Sequence, residues 1–199
     1  MNSAPSQNMA EDHRVPWFPA WGIEFNKDFS NINEIISKFN EWRPNDRWLL
    51  ISYDALCSEV HLWTVWHSLR YREENNSMIA RSPDTEFIRL ISGTHQISTA
   101  FGRAGLKQGD NKAWIVYLPN LEIDNELHKT NLPREIFNSN TDTAEDLILH
   151  LEASLITLRP IPIKESLSRL EISTSKNELT TREIENYLLN HAAMADMHS

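Results

Sequence analysis

Three segments of the chain have the hydrophobic pattern of β-strands. Residues 21–25 alternate apolar and polar side chains, which predicts a short strand. Residues 48–53 form a nearly continuous apolar run, which is typical of a buried strand. Residues 113–118 predict a third strand, which Pro119 closes because proline cannot donate to a sheet. We expect these segments to form a central sheet that is mostly antiparallel or mixed.

Helical spacing of apolar residues fills the intervals between these strands. Residues 32–42 repeat apolar side chains on one helical face. Residues 55–71 are apolar around most of the circumference, and Asp54 is expected to cap this helix. A helix of that kind is buried on more than one side. It is therefore either the central helix of the fold or partly a surface for a partner.

Turn-forming residues divide the following segment into two consecutive helices. Ser82 and Pro83 are typical of the first residues of a helix. Gly93 suits the left-handed residue that ends this helix. Thr94 is expected to cap the next helix at once, and Gly105 is expected to end it.

Two capping boxes predict helices in the last third of the chain. Residues 142–145 are expected to open a helix whose apolar face extends to Leu155. Residues 163–170 predict a short helix, and residues 180–183 are expected to open the last one. Residues 119–141 show no clear period.

Composition supports one mixed α/β domain of the α+β type. The chain has 199 residues, of which 40% are hydrophobic and 24% are charged, as in ordinary globular proteins. Residues 1–15 are expected to be a disordered tail, and residues 16–199 a single domain with an insertion at 119–160. No apolar signal core or membrane-spanning run is present, and Cys57 is the only cysteine. These features predict a cytoplasmic protein.

The charge balance limits the classes of partner. The formal net charge of -9 argues against nucleic-acid binding by bulk electrostatics. Residues 54–117 nevertheless carry seven basic and seven acidic groups, so an anionic partner would be least repelled there.

The residue types needed for catalysis do not assemble into a recognisable pattern. His61 and His67 are six positions apart, which does not suit a shared metal site on one helix. Cys57 lies in the apolar helix, where packing is the more common role. We therefore expect no catalytic residue, no metal site and no cofactor. A small metabolic enzyme is the alternative, and a deep pocket with perturbed carboxylates or histidines would favour it.

The central segment carries several short motifs in a fixed order. They are Ser52-Tyr53-Asp54-Ala55, His61-Leu62, Arg81 before a helix containing Glu86, the turn from Ser92 to Ile97, and Gly105-Leu106. In this order they resemble the TPRKB-like small subunits of KEOPS, the complex that installs threonylcarbamoyladenosine at position 37 of tRNA. The resemblance covers residues 48–118 well and residues 168–196 moderately.

This resemblance implies a specific function. Such proteins are not catalytic; they bind the small atypical kinase of the complex and, through it, the tRNA-modifying enzyme subunit. Archaeal relatives hold the single-stranded 3′ CCA end of tRNA. They usually carry an arginine where this chain has His95, a departure that affects one phosphate contact. The alternative is a regulatory adaptor of the kinase that does not bind tRNA.

The expected binding residues form two sets. Gly93 and Thr94 are expected to offer amide N–H groups to a phosphate, and Gln96 to read a base edge. The predicted tRNA-binding residues are Arg81, Ser92, Gly93, Thr94, His95, Gln96 and Arg103. The predicted kinase-binding residues on the last helix are Ile184, Tyr187, Leu188, Ala192 and Ala195. The other interpretation is that the glycine and threonine are only caps, the arginines are solvated and the stripe is core.

Overall fold

One four-stranded sheet organises the chain. The structure is a computed structural model that describes residues 17–26, 31–124, 130 and 132–195, so the predicted tail at 1–15 lies outside the described residues. The strands are β1 (Ala20–Phe25), β2 (Trp48–Ser52), β3 (Lys112–Tyr117) and β4 (Ala153–Ile156). They lie in the order β2-β3-β1-β4, and each neighbouring pair is antiparallel. The prediction of a single mixed α/β domain with an antiparallel sheet is confirmed.

Helices surround this sheet. They are α1 (Ile32–Trp42), α2 (Glu59–Glu74), α3 (Pro83–Ile91), α4 (Ile97–Ala104), α5 (Arg134–Ser139), α6 (Thr141–His150), α7 (Lys164–Arg169) and α8 (Thr181–Ala193). Among the residues that the structure describes, none of these helices has the length and apolar character needed to cross a bilayer.

Each face of the sheet is covered by helices, because the side chains of its strands alternate between two cores. Trp21, Ile23 and Ile115 pack with α1 and α6 on one face. Trp114 and Val116 point to the other face, where they pack with α2, α3, α4, α7 and α8. Burial on both faces explains why β2 and β3 appeared in the sequence as apolar runs.

Helix α2 is the central helix of the larger core. Leu62, Val65, Trp66 and Leu69 are almost completely buried on one side of α2. His61, His67 and Arg70, which extend beyond that side, are also buried, and this confirms that the helix packs on more than one side. The predicted start at Asp54 is wrong. Residues 53–55 form a 3₁₀ turn, and α2 begins at Glu59 with the Ser58 hydroxyl accepting from the His61 N–H at 3.1 Å.

The segment from residue 141 to residue 156 differs most from prediction. The predicted helix through Leu155 is wrong, because α6 ends at His150 and Glu152 adopts a φ of 54°. The chain then reverses into β4, which pairs with β1 at the sheet edge. The capping box at residues 142–145 is also wrong, since Asn140 precedes α6 without a side-chain cap. The second box is confirmed, because Thr180 and Glu183 make both of its hydrogen bonds.

The region predicted as an insertion supplies part of the fold. Its described residues include α5, α6 and β4. Leu147 and Ile148 of α6 pack in the smaller core, on the face of the sheet that carries Trp21 and Ile23. An insertion relative to shorter relatives remains a prediction, but these residues are not an appendage of the domain.

Candidate functional site

The turn between α3 and α4 begins with a helix C-cap that uses its own amide groups. Gly93 adopts a φ of 59°, as predicted for the left-handed residue that ends a helix. Its N–H donates to the Leu90 carbonyl at 3.1 Å, and the Thr94 N–H donates to the Arg89 carbonyl at 3.5 Å. These two bonds are those of a Schellman motif. The prediction that Gly93 and Thr94 offer free amides to a phosphate is therefore wrong.

The amide groups that open α4 lie further along the chain. Thr94 does not cap this helix at once, because Gln96 is the N-cap residue and α4 begins at Ile97. Thr94 instead accepts a hydrogen bond from the Gln96 N–H at 3.2 Å. The first amides of a helix have no partner within the helix, so the N–H groups of Ile97 and Ser98 form the positive end of α4. Gln96, Ile97 and Ser98 are exposed.

Burial divides the predicted turn into two parts. Ser92 and Gly93 are buried, whereas Thr94 and His95 are half-buried. The Ser92 hydroxyl donates to the Ala100 carbonyl at 3.1 Å, which ties α3 to α4. The Ser92 carbonyl likewise accepts hydrogen bonds from the side chains of Arg103 and His191. Ser92 and Gly93 therefore shape the turn, and the exposed surface starts after them.

The two predicted arginines differ in availability. Arg81 is exposed and has no hydrogen bond or ion pair within the described part of the chain. Arg103 contacts one Glu171 carboxylate oxygen through Nε and Nη2, both at 2.9 Å. Its Nη1 donates to the Ser92 carbonyl at 3.1 Å. The Arg103 guanidinium is thus engaged within the fold, so a phosphate would have to compete with Glu171 and the Ser92 carbonyl for it, and its predicted tRNA contact stays a prediction.

The predicted kinase-binding stripe on α8 faces inward. Ile184, Leu188, Ala192 and Ala195 are buried and belong to the larger core, and only Tyr187 is half-buried at its edge. A kinase could touch these four side chains only if α8 left the core. We therefore assign the four to packing, as the alternative interpretation of the stripe had it.

The opposite side of α8 is a different kind of surface. Its outer face, which we define as Asn186, Leu189, Asn190 and Ala193, follows the i, i+3, i+4, i+7 spacing of one helical side. Leu189 is half-buried and the other three residues are exposed. All four are uncharged, although 24% of the chain is charged. This face was not predicted from the sequence, because the apolar stripe on the other side of α8 dominates the helical pattern.

A buried ion pair lies within α3, close to the α3–α4 turn, and was not predicted from the sequence. Arg89 and Glu86 have fully buried side chains, with Nη2 and Oε1 2.6 Å apart. Glu86 also accepts the N–H groups of Ile79 and Ala80 at 3.2 and 2.8 Å. Burial by itself raises the pKa of Glu86, but the Arg89 and Ala80 hydrogen bonds and the charges of Arg89 and Arg72 lower it overall. The carboxylate is therefore ionised in the folded protein.

One cleft bears on the enzyme alternative. It is a shallow, open cleft of about 450 Å³, and its lining residues are Asp54, Lys107, Lys164, Glu165, Ser168 and Arg169. Burial raises the pKa of Asp54, which the charge of Arg169 partly offsets. The Arg169 guanidinium is already held by Asp110 at 3.0 and 2.8 Å. Within the described residues, no three His, Cys, Asp or Glu side chains could hold a metal ion.

Comparison with known proteins identifies the family. The model of the family described as kinase binding protein CGI-121 matches residues 26–146 of the 199. This range includes the α3–α4 turn and ends before α8. No curated protein matches the chain. The match covers more than half of the sequence and confirms the resemblance to TPRKB-like proteins, so the chain belongs to the CGI-121 family of kinase-binding proteins.

Proposed function

We propose that this protein is a non-catalytic subunit of KEOPS that binds the small atypical kinase of the complex and recruits tRNA through its 3′ CCA end. Membership of the CGI-121 family is the observation that carries this proposal, because proteins of this family are described as kinase-binding. The ordered motifs from Ser52 to Leu106 support the KEOPS and tRNA parts of the proposal. In this function, the kinase connects the subunit to the tRNA-modifying enzyme.

The exposed part of the α3–α4 turn offers suitable chemistry for a single-stranded RNA end. Gln96 can donate its side-chain N–H groups to a base edge, and its Oε1, which accepts from the Thr99 hydroxyl at 3.0 Å, keeps a second lone pair for a base donor. The Ile97 and Ser98 amides at the start of α4 offer a positive helix end to a phosphate. Arg81 can pair with a second phosphate. We therefore move the proposed phosphate contact from Gly93 and Thr94 to the first turn of α4.

The combined variant Gln96→Ala/Arg81→Ala tests this surface. We expect it to weaken tRNA binding at least tenfold, because each lost base or phosphate contact contributes about 1–3 kcal/mol. The measurement is a titration of purified protein with labelled tRNA, with and without the terminal CCA. Arg182→Ala removes an equally exposed arginine at the start of α8 and should leave affinity nearly unchanged. Equal binding of both tRNAs by the wild-type protein would contradict the proposed CCA contact.

The outer face of α8 is the proposed kinase contact. The outer face of α8 carries no charge over its last two turns, and the charged residue on the same side, Arg182, lies one turn earlier. Such a patch suits a protein interface, because the centre of protein interfaces is depleted in charged residues. Buried residues on the inner side keep α8 in place, so its outer side can be covered by a partner without unfolding. The same helix then serves the core with one side and the kinase with the other.

Asn190→Glu tests the kinase contact. We expect more than tenfold weaker binding to the purified kinase, because the interface would bury a carboxylate without a partner. Thermal stability should change little, since Asn190 is exposed. Asn120→Glu makes the same charge change on an exposed loop residue and should bind like the wild-type protein. Leu188→Ala, in contrast, should lower stability, because Leu188 is completely buried. Undiminished kinase binding by Asn190→Glu would reject this face.

The second candidate function is a regulatory adaptor of the kinase without tRNA binding. The net charge of -9 and the presence of His95 in place of the usual arginine favour it. Co-purification with the kinase combined with no binding of intact tRNA would select this function. Turnover of a small metabolite by the purified protein would instead favour the enzyme alternative, and the cleft at Asp54 is the place to mutate in that case.

A further inference from the structure

A histidine on α8 contacts the α3–α4 turn through a hydrogen bond and through its ring. His191 Nε2 lies 2.8 Å from the Ser92 carbonyl oxygen. A carbonyl oxygen only accepts hydrogen bonds, so Nε2 carries the proton in this contact. The ring also fills the space over the neighbouring glycine. A Cβ built on Gly93 would lie 2.5 Å from His191 Nε2 and 2.7 Å from two ring carbons. Gly93 is therefore required both by its φ of 59° and by the histidine ring.

A second tie joins the end of α8 to the other side of the turn. Nη1 of the buried Arg89 donates to the Thr94 carbonyl and to the Ala195 carbonyl, each at 3.3 Å. His191 and Arg89 thus hold Ser92 and Thr94, which are the two residues on either side of Gly93. Each tie includes a non-local contact, since 99 positions separate His191 from Ser92 and 106 separate Arg89 from Ala195.

We propose that His191 is a positioning residue for RNA recognition. It touches no RNA itself in this proposal, which rests on the proposed tRNA-binding function. Its hydrogen bond and its ring fix the Ser92–Gly93 peptide, and this in turn sets the direction of residues 94–98, of which 96–98 are exposed. Gln96 and the first amides of α4 are then presented in one geometry, which reduces the ordering cost of binding a flexible RNA end.

Two substitutions of His191 separate its hydrogen bond from its bulk. His191→Phe keeps a ring and removes the N–H donor, whereas His191→Gln keeps a side-chain N–H. We expect His191→Phe to weaken tRNA binding about threefold to tenfold, the effect of one net hydrogen bond. His191→Gln should recover most of this loss. The matched control is His150→Phe, which makes the same exchange far from the turn. The His150 and Trp42 ring centroids are 3.6 Å apart, on the other side of the sheet.

Amide hydrogen exchange of residues 94–98 gives a readout that does not depend on RNA. His191→Phe should accelerate this exchange, while His150→Phe should not. Faster exchange with no tRNA binding by the wild-type protein would reject the proposed function and its use of His191 in RNA recognition, while showing that His191 orders the turn. Unchanged exchange and unchanged tRNA affinity in His191→Phe would overturn the positioning role, even if the wild-type protein binds tRNA.

A double-mutant cycle tests the packing of the ring on Gly93. Gly93→Ala introduces backbone strain at a positive φ in any background, but it collides with the ring only when His191 is present. The loss of stability caused by Gly93→Ala should therefore be smaller in His191→Ala than in the wild-type protein. Equal losses in the two backgrounds would show that the two residues are not coupled, and would count against the proposal.

Discussion

Arg89→Met is expected to lower the free energy of unfolding by about 3–5 kcal/mol, because it leaves the carboxylate of Glu86 buried without the guanidinium that is hydrogen-bonded to it. Neither side chain of this pair is exposed to solvent. Arg89 contacts the carboxylate twice, with Nη2 2.6 Å from Oε1 and Nε 3.1 Å from Oε2. Arg72 Nε is the next cation, at 3.9 Å, and is too far away to replace these hydrogen bonds. Denaturant unfolding followed by circular dichroism measures the loss.

The control for this variant is Arg81→Met. It removes the same charge eight positions earlier in the sequence, but Arg81 is exposed and its replacement should change stability by less than about 0.5 kcal/mol. Arg89→Met also removes the bridge between the Thr94 and Ala195 carbonyls. We therefore expect its folded form to lose tRNA and kinase binding together. A midpoint equal to that of Arg81→Met would mean that Glu86 finds another partner or becomes neutral at little cost.

The sequence predicted the parts of the fold that depend on local pattern. Strands β1, β2 and β3 were recognisable because their side chains alternate or form apolar runs. The start of α3 and the capping box of α8 were also predicted correctly, since both depend on residues within one turn. The burial of α2 on more than one side followed from apolar residues around much of its circumference.

Strand β4 was missed for a physical reason. It has four residues, lies at the sheet edge and is only half-buried, so it lacks the alternation of an inner strand. Leu151 and Leu155 also continue the helical spacing of α6. The residue that breaks the helix is Glu152, whose φ of 54° is unusual for a side chain of this type. Nothing in the local pattern favours a turn at that glutamate.

The predicted site failed where distant residues decide the outcome. An apolar stripe indicates that one side of α8 is covered, but not whether the cover is the same chain or a partner. Arg103 seemed available because its partner, Glu171, lies 68 positions later. The amides of Gly93 and Thr94 were consumed locally, but the Schellman motif that consumes them was overlooked although Gly93 was assigned as the C-cap. Gln96 and Arg81 were the predicted residues left exposed.

The stability of the protein is expected to fall as the pH drops below about 6.5, and His61 is the residue expected to cause much of this loss. His61 is completely buried, and neither ring nitrogen has a hydrogen-bond partner among the described residues. Burial, with a smaller effect of nearby His191, lowers the pKa of His61 to about 3. The unfolded chain takes up the proton near its ordinary pKa of about 6.5, whereas the folded protein does not until the pH approaches 3. The contribution of neutral His61 to stability is therefore present above about pH 6.5 and is lost as the pH falls from 6.5 to about 3.

His61→Leu isolates this contribution from those of the other histidines. Linkage predicts a slope of about 1.4 kcal/mol per pH unit for one such group, or about 2 kcal/mol between pH 6.5 and pH 5. The leucine variant should lack this part of the slope. It should not be less stable at pH 8, because it replaces two buried polar atoms without partners by an apolar group of similar size. Unfolding curves measured at several pH values give both quantities. If the two proteins lost stability in parallel from pH 8 to pH 5, then His61 would already be charged or solvated in the folded state, and its place in the core beside α8 would have to be reconsidered.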